Sequence, residues 1–466
     1  MCGIIGAFGD VAAERKVEEA LAAIAHRGPD AMAVKGVAGG RLGHVRLAIV
    51  DLDRRSDQPM TRGATTVAFN GELWNHRSVR AQLEARGRRF TTSGDTEVLA
   101  HALDAWGEEA LARFEGMFAC AWVGKDGIAR GARDRFGEVP LHVARTASGG
   151  VIVASEVRAL RALGHRGEWH WIGPGEVWNL SKLTRRTWYS PRVEEFAGDR
   201  QDGARQLLSA LRAAAKERAM SDVPVATLLS GGLDSSIVAA CLADVVPNLV
   251  AYTAVLDPHA PDLKHARAMA SFLGVRLVEV PVASPTADDL ARCVATIEMP
   301  HKAQVEIAWP CLALAEAARA NGHKVVYSGE GSDELWASYG FAYHGLKTAT
   351  WRGYRERLFM EQHRKNFARC NKAFMRHGVE CRLPFLSRPV VELALSLPER
   401  VVRDGKDARK AKMVLTDAAR GLVPDAILVR AKTPFQAGIG LNKIAAVADP
   451  LRFYRLEHAR ATGPWS

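Results

Sequence analysis

The sequence has 466 residues, a formal net charge of +11 and an apolar fraction of 48%. That length exceeds what one hydrophobic core usually supports, so two domains are expected, and the composition excludes a disordered or collagen-like chain. The Lys and Arg residues are scattered among acidic ones instead of forming a basic arm, which argues against a nucleic-acid partner and favours anionic substrates or simple solubility.

The seven cysteines show no CxxC spacing, and their odd number fits reduced thiols better than a disulfide framework. The first residues lack the positive run and apolar stretch of a signal peptide, and no apolar run approaches the roughly 18 residues that span a bilayer. The sequence therefore predicts a cytoplasmic protein with no membrane partner.

Residues 1 to about 190 contain short β-type runs separated by turn residues. Two amphipathic helical stretches, near 13–25 and 76–86, interrupt them. This arrangement predicts an antiparallel, layered α+β domain. The β-type runs are CGIIGAFG, GHVRLAIVDL, TTVAFNGEL, MFACAWV and VIVASE.

From about residue 203 helices and apolar strands alternate, which predicts a parallel, doubly wound α/β sheet. The polar segment 190–203, with Pro and Gly, reads as a linker. We therefore place the two predicted domains at residues 1–190 and 203–466.

The sharpest motif of the second half is LLSGGLDSS, residues 228–236. A strand that ends in glycines before a helix exposes backbone N–H groups, which together form an anion site. Asp234 in such a site suits Mg²⁺, although Asp and Ser there are also ordinary helix caps. The candidate residues for binding a nucleotide phosphate are Ser230, Gly231, Gly232, Asp234 and Ser235.

A second motif, YSGEGSDELW at 327–336, follows another strand. Asp333 could share the metal with Asp234, while Ser328 and Gly329 expose backbone near the nucleotide. Two acids on neighbouring strand ends suit Mg²⁺–pyrophosphate chemistry, because charge builds up on the leaving group. LLSGGLDSS resembles the pyrophosphate loop of the ATP-pyrophosphatase superfamily, whose members activate a carboxylate or carbonyl oxygen as its adenylate.

The chain opens with MCGIIGAFG, so removal of Met1 would leave Cys2 with an α-amino group able to act as base toward its own thiol. Alone, Cys2 could equally be a small apolar residue of a strand. Further motifs follow in order: HRGPD (26–30), HVRLAIVD (44–51), FNGELWNH (69–76), SGDTEV (93–98) and RDRFG (133–137). Together they resemble the class II glutamine amidotransferase domain, which implies a four-layer α/β/β/α sandwich of the N-terminal nucleophile type.

This resemblance implies a role for each matching residue. Cys2 would attack the glutamine amide, and Asn70 with Gly71 would form the oxyanion hole. Arg46 would hold the glutamine α-carboxylate, while Asp95 and Glu72 would hold its α-ammonium. These residue types suit their tasks, since Arg binds carboxylates bidentately and an amide N–H stabilises an oxyanion.

The two halves in this order resemble glutamine-dependent asparagine synthetase over nearly the whole chain, including CNKAFMRHGVECRLPFL (370–386) and RAKTPFQ (430–436). The resemblance implies that ATP adenylates a carboxylic acid, that pyrophosphate leaves, and that ammonia from glutamine displaces AMP. It also implies a homodimer. Implied roles are Glu330 as the base for ammonia, Lys432 as the cation of the adenylation step, and Leu229 and Val255 as adenine-nucleotide contacts.

The stretch 304–310, QVEIAWP, departs from relatives that form asparagine. Glu306 stands where an arginine is expected, a reversal of charge that would repel a carboxylate unless the ungapped alignment has slipped. Trp309 replaces a small residue and would reshape the acceptor pocket. Ser387 and Ala337 also depart from the family pattern. These differences predict an acceptor acid other than aspartate, with an ordinary asparagine synthetase as the alternative.

Two other classes remain as alternatives. A cyclase related to β-lactam synthetase usually lacks a usable N-terminal cysteine, which the chain has. A glutaminase with a regulatory nucleotide-binding half would not need the acids and lysine of a catalytic set. If Met1 is retained, the base for Cys2 is missing and the second half would depend on free ammonia.

Overall fold

The computed structural model describes residues 1–339, 350–403, 411–430, 447 and 449–462. The strands of the front half are β1 (Gly3–Phe8), β2 (Ala31–Val37), β3 (Gly40–Arg46), β4 (Met60–Arg62), β5 (Thr65–Leu73), β6 (Gly116–Val123), β7 (Ala129–Arg133), β8 (His142–Arg145), β9 (Val151–Ala154), β10 (His170–Trp171), β11 (Glu176–Asn179) and β12 (Thr184–Thr187). Its helices are α1 (Glu14–Ala23), α2 (His76–Glu84), α3 (Asp95–Trp106) and α4 (Val157–Ala162).

These strands form two antiparallel sheets, ordered β10-β8-β9-β1-β3-β2 and β12-β11-β7-β6-β5-β4. Side chains alternate across a strand, so each sheet can bury both faces. The inner faces pack together through residues such as Ile4 and Ala68. The outer faces are covered by α1 and α4 on one side and by α2 and α3 on the other. The predicted four-layer α/β/β/α sandwich is confirmed.

The rear half contains five strands and most of the helices. Its strands are β13 (Val225–Leu228), β14 (Val250–Val255), β15 (Arg276–Pro281), β16 (Val325–Tyr327) and β17 (Glu380–Arg382). Its helices are α5 (Arg200–Arg218), α6 (Leu233–Ala243), α7 (Pro261–Leu273), α8 (Ala287–Ile297), α9 (Lys302–Ala320), α10 (Ser332–Leu335), α11 (Trp351–Met360), α12 (Asn366–Met375), α13 (Arg388–Ser396), α14 (Glu399–Val402), α15 (Met413–Ala418), α16 (Asp425–Leu428) and α17 (Pro450–Thr462).

The five rear strands pair in the order β15-β14-β13-β16-β17, and every pair is parallel. This confirms the predicted parallel α/β sheet. In such a sheet the carboxyl ends of the strands meet at one edge, where ligands bind. Both glycine-containing motifs, after β13 and after β16, therefore lie at that edge. Among the described residues, no helix is long and apolar enough to cross a bilayer.

Helix α3 was not predicted from the sequence pattern. All of its residues from Asp95 to Leu103 are buried. A helix without an exposed polar face lacks the 3.6-residue periodicity on which the sequence prediction depended. The predicted stretches near 13–25 and 76–86, by contrast, correspond to the amphipathic helices α1 and α2.

Buried polar contacts join the two halves. The Arg218 guanidinium on α5 donates to both carboxylate oxygens of Glu138, each at 3.1 Å. Arg27 of the front half donates to the Asn371 side chain at 2.9 Å and to the carbonyl of Cys2, also at 2.9 Å. Because these side chains are shielded from water, their geometry fixes the position of one half against the other.

Candidate active sites

Cys2 immediately precedes β1 and is buried between the two antiparallel sheets. Its backbone N–H donates to Asn70 Oδ1 at 2.7 Å, and its Sγ lies 3.9 Å from the carbonyl oxygen of Leu47. Burial raises the pKa of the Cys2 thiol. The chain includes Met1, whose α-ammonium is buried against the Glu380 carboxylate.

Asn70 and Gly71 are adjacent residues of β5, and Asn70 contacts Cys2. Gly71 has a φ of +148°, and a Cβ there would lie 2.1 Å from the carbonyl oxygen of Met117 on β6. Only glycine allows this approach of the two strands. Asn70 Oδ1 accepts the hydrogen bond from the Cys2 N–H, and Asn70 Nδ2 lies 3.5 Å from the Ser155 hydroxyl.

Arg46 is the last residue of β3, and the loop that follows holds its guanidinium. One terminal nitrogen donates to the carbonyl of Asp53 at 2.8 Å and to Asp57 Oδ1 at 2.7 Å, and the other donates to the carbonyl of Asp51. These contacts fix the plane of the Arg46 guanidinium group. Bidentate binding of a carboxylate requires a guanidinium held in one plane.

Glu72 and Asp95 are buried acids of this site, as is Glu380, which pairs with the Met1 α-ammonium. Asp95 begins α3 and accepts a hydrogen bond from the Leu73 N–H at 2.8 Å, whereas Glu72 Oε2 has no hydrogen-bond partner in the part of the chain that the structure describes. Burial raises the pKa of both carboxyls, and for Glu72 the nearby Glu380 carboxylate adds to the rise. Two buried acids of this kind attract a cationic group.

In the rear half, hydrogen bonds between Ser230 and Ser235 hold the two ends of the loop after β13 together. The Ser230 N–H donates to Ser235 Oγ at 3.2 Å, and the two hydroxyls lie 3.0 Å apart. Gly232 is the N-cap of α6, so the first N–H groups of that helix face the loop. Leu229 is fully buried, and Val255 is the last residue of β14, on the same edge of the sheet.

The second loop, after β16, packs directly on the first. A Cβ on Gly329 would lie 2.8 Å from the carbonyl carbon of Asp234, so the two loops touch backbone to backbone. Ser328 donates its N–H to the carbonyl of Arg382 on β17 at 3.0 Å. The structure therefore brings both sequence motifs to one place.

Asp234 and Asp333 share one cation, the ammonium of Lys412. Lys412 Nζ lies 2.7 and 2.5 Å from the two oxygens of Asp234 and 2.5 Å from Asp333 Oδ1. The hydroxyl of Ser332 donates to Asp234 Oδ1 at 2.7 Å, and that of Ser338 donates to Asp333 Oδ1 at 2.7 Å. Carboxylate oxygens that converge on one cation are the donor set that Mg²⁺ prefers, so these residues fit the predicted metal.

The sequence did not single out Lys412. The lysine predicted for the adenylation step, Lys432, lies outside the described residues. Lys412 follows Lys406 and Lys410 in KDARKAKM, and no spacing distinguishes it from the other two. Its contact with acids from two distant loops is visible only in three dimensions.

Glu330 forms a partly buried ion pair with Arg369 on α12, at 2.7 Å. Burial alone would lower the pKa of the Arg369 guanidinium, but the Glu330 carboxylate raises it. Arg369 also donates to Gln304 Oε1 at 2.7 Å. Glu330, Arg369 and Gln304 thus form one polar group beside the second loop.

The two tentative acceptor residues, Glu306 and Trp309, belong to a different face of α9 from Gln304. Residues two apart on a helix point about 200° apart, so they do not share a face. Glu306 lies 3.8 Å from Lys302, and burial raises its pKa. Trp309 donates its indole N–H to the carbonyl of Ala283 at 2.8 Å. Within the described part of the chain, neither residue forms a hydrogen bond or ion pair with Glu330 or Arg369.

Comparison with known proteins agrees with this geometry. The glutamine amidotransferase domain family matches residues 1–169, and the asparagine synthase family matches residues 206–367 and 348–453. Asparagine synthetase 2 [glutamine-hydrolyzing] of Arabidopsis thaliana is 31% identical over 96% of this chain and 81% of its own length. Asparagine synthetase B of Escherichia coli is 30% identical over 100% of this chain and 88% of its own. The chain belongs to the glutamine-hydrolysing asparagine synthetase family.

Proposed function

We propose that the protein is an ATP-dependent amide ligase that adenylates a carboxylic acid and converts it to an amide with ammonia from glutamine. The observation that carries this proposal is the convergence of Asp234 and Asp333 on one cation at the carboxyl edge of the parallel sheet. A nucleotide-binding half with only a regulatory role would not need two acids and a buried lysine at one point.

In the front half, Cys2 is proposed to attack the glutamine amide once Met1 has been removed. Burial disfavours the thiolate, so the free α-amino group of Cys2 would take the thiol proton. Asn70 and Gly71 would stabilise the oxyanion. Arg46 would bind the α-carboxylate of glutamine, and Asp95 with Glu72 would bind its α-ammonium.

In the rear half, residues Ser230 to Ser235 and the loop Ser328–Gly329 are proposed to hold the ATP phosphates. Asp234 and Asp333 would hold Mg²⁺, which supplies positive charge for the departing pyrophosphate. Lys432 stays the proposed cation of the adenylation step, and we propose that Lys412, whose ammonium lies between the two acids, adds positive charge there. Glu330 would accept the proton of the attacking ammonia.

Helix α12 supports the transfer of ammonia between the two sites. Asn371 on this helix contacts Arg27, which in turn holds the Cys2 carbonyl, and Arg369 on the same helix holds Glu330. Two residues of one helix thus contact residues of the two proposed centres, which supports a transfer of ammonia through the protein interior.

For the acceptor, we retain a carboxylic acid other than aspartate as the proposal and aspartate as its alternative. Trp309 and Glu306 differ from residues expected in asparagine-forming relatives, which favours another acid. The names of the relatives favour aspartate. We also propose domain boundaries at 1–190 and 203–466, a homodimer without nucleic-acid or membrane partners, and a cytoplasmic location, which the seven free cysteines support.

The test is pyrophosphate release from ATP and Mg²⁺ with ammonium supplied, measured with and without aspartate and followed by mass analysis for asparagine. Release that depends on an added acid would support the ligase, and asparagine formation would identify aspartate as the acceptor. Asp333→Asn is the matched inactive control. Pyrophosphate release that this variant retains in full would refute the proposed synthetase site.

A further inference from the structure

Arg430 connects the first phosphate loop to helix α7. One terminal guanidinium nitrogen donates to the carbonyl oxygen of Gly231 at 2.7 Å, and the other donates to the carboxylate of Asp262. The Arg430 side chain is 12% exposed and that of Asp262 is 8% exposed. These two hydrogen bonds of the guanidinium are shielded from water and are donated by a charged group. They are therefore stronger than an ordinary hydrogen bond at the surface.

Gly231 is held tightly on α7 at this point. Its φ is +75°, and an added Cβ would lie 2.5 Å from the carbonyl oxygen of Asp262 and 2.6 Å from the backbone nitrogen of Ala266. The loop therefore rests on the first turn of α7 with no space for a side chain. The peptide plane between Gly231 and Gly232 can still rotate, because glycine residues resist such rotation least.

The hydrogen bond from Arg430 to the Gly231 carbonyl prevents this rotation. In a trans peptide the carbonyl and the following N–H point in opposite directions. When Arg430 holds the Gly231 carbonyl, the Gly232 N–H must point away from Arg430, toward the interior of the loop. There it donates to Ser230 Oγ at 3.4 Å, a long contact that an anion can replace with little loss.

We propose that Arg430 is a positioning residue that orients the Gly231–Gly232 peptide so that its N–H binds a phosphate of ATP. The inference rests on the proposed function, because it requires that this loop binds the nucleotide. Arg430 acts through the backbone, and Asp262 holds the guanidinium in place. With the Gly231 carbonyl released, the peptide can rotate and turn a carbonyl oxygen toward the phosphates, which would repel them.

The experiment measures the affinities of the full-length protein for Mg–ATP and for AMP by isothermal titration, which requires no acceptor acid. We compare wild type with Arg430→Gln and Arg430→Lys. The matched control is Arg420→Gln, since Arg420 is exposed and pairs only locally with Asp417 on the described surface. The loss of a charge-assisted hydrogen bond predicts Mg–ATP binding about 10- to 100-fold weaker for Arg430→Gln. Arg430→Lys should recover part of this loss, while the affinity for AMP should change less than threefold.

Three results would overturn the inference: unchanged Mg–ATP binding by Arg430→Gln, an equal loss of ATP and AMP binding, or an equal loss in Arg420→Gln. If Arg430→Gln does not fold, as judged by thermal unfolding, Asp262→Asn replaces it. That variant keeps the arginine but not its anchor and should weaken Mg–ATP binding selectively. Failure of the proposed function is distinguishable, because wild type itself would then not bind Mg–ATP.

Discussion

Each of the two candidate sites contains a pair of acidic side chains, but among the described residues only the pair in the rear site binds a cation. In the front site, Glu72 and Asp95 are buried and have no ion-pair partner among the described residues, and burial raises the pKa of both carboxyls. In the rear site, Asp234 and Asp333 share the ammonium of Lys412. Burial acts to lower the pKa of Lys412, but the two acids raise it. Among the described residues, Glu72 and Asp95 of the front site thus pair with no cation, whereas Asp234 and Asp333 of the rear site share one.

The largest expected effect follows from a change at Cys2, the proposed nucleophile, which should separate the activities of the two sites. Cys2→Ala should lower glutamine hydrolysis by roughly ten-thousandfold, since the covalent step requires the thiol. Pyrophosphate release with ammonium supplied should remain within about twofold of wild type, because the rear site does not use Cys2. Cys120→Ala, a buried cysteine of β6, is the matched control. Residual glutaminase activity in Cys2→Ala would disprove the assigned nucleophile.

The corresponding change in the rear site is Lys412→Met. Removal of a preorganised cation from a site where charge develops should lower acid-dependent pyrophosphate release about 100- to 1,000-fold. Glutamine hydrolysis should persist, because Lys412 contacts only acids of the rear half in the described structure. Lys216→Met, at an exposed position of α5, is the control. Equal activities for wild type and Lys412→Met would contradict the assignment.

A third prediction concerns metal binding without nucleotide. Lys412 already pairs with both Asp234 and Asp333, so a Mg²⁺ ion at the proposed site would compete with its ammonium for the same oxygens. Lys412→Met should therefore bind Mg²⁺ at least about tenfold more tightly than wild type, measured by titration calorimetry without ATP. Lys412→Arg retains the charge and should resemble wild type. If both variants bind Mg²⁺ as wild type does, the lysine and the metal do not share a site.

The smallest expected effects are on stability. Because burial raises the pKa of Glu72 in the folded protein well above its ordinary value, the folded protein loses stability as the pH rises through that pKa. Glu72→Gln should thus be more stable than wild type by about 1–3 kcal/mol at pH 8, and this gain should shrink toward pH 5. Asp234→Asn should instead destabilise the fold at pH 8, because Lys412 loses a partner. Urea unfolding at the two pH values measures both, and a gain at pH 5 that equals the gain at pH 8 would contradict the titration.

Local motifs made the candidate residues of the front half recognisable in the sequence. Cys2, Asn70 and Gly71 lie in short strings whose chemistry follows from residue type, and β5 brings Asn70 into contact with the Cys2 N–H. Lys412 was not predictable, because its role depends on contact with two loops that are distant in sequence. Spacing likewise could not show that Gln304, and not Glu306, faces Arg369, since the start of α9 sets the direction of each side chain.

The pairing of Arg218 with Glu138 and of Arg27 with Asn371 has a consequence for any attempt to divide the chain. Either fragment alone would expose a charge or amide that the other half normally satisfies, and a large apolar surface with it. Separately expressed halves should therefore aggregate, whereas co-expression should yield a nicked complex that purifies as one particle. Heating the intact protein should give a single calorimetric peak, because neither half can melt while the other stays native.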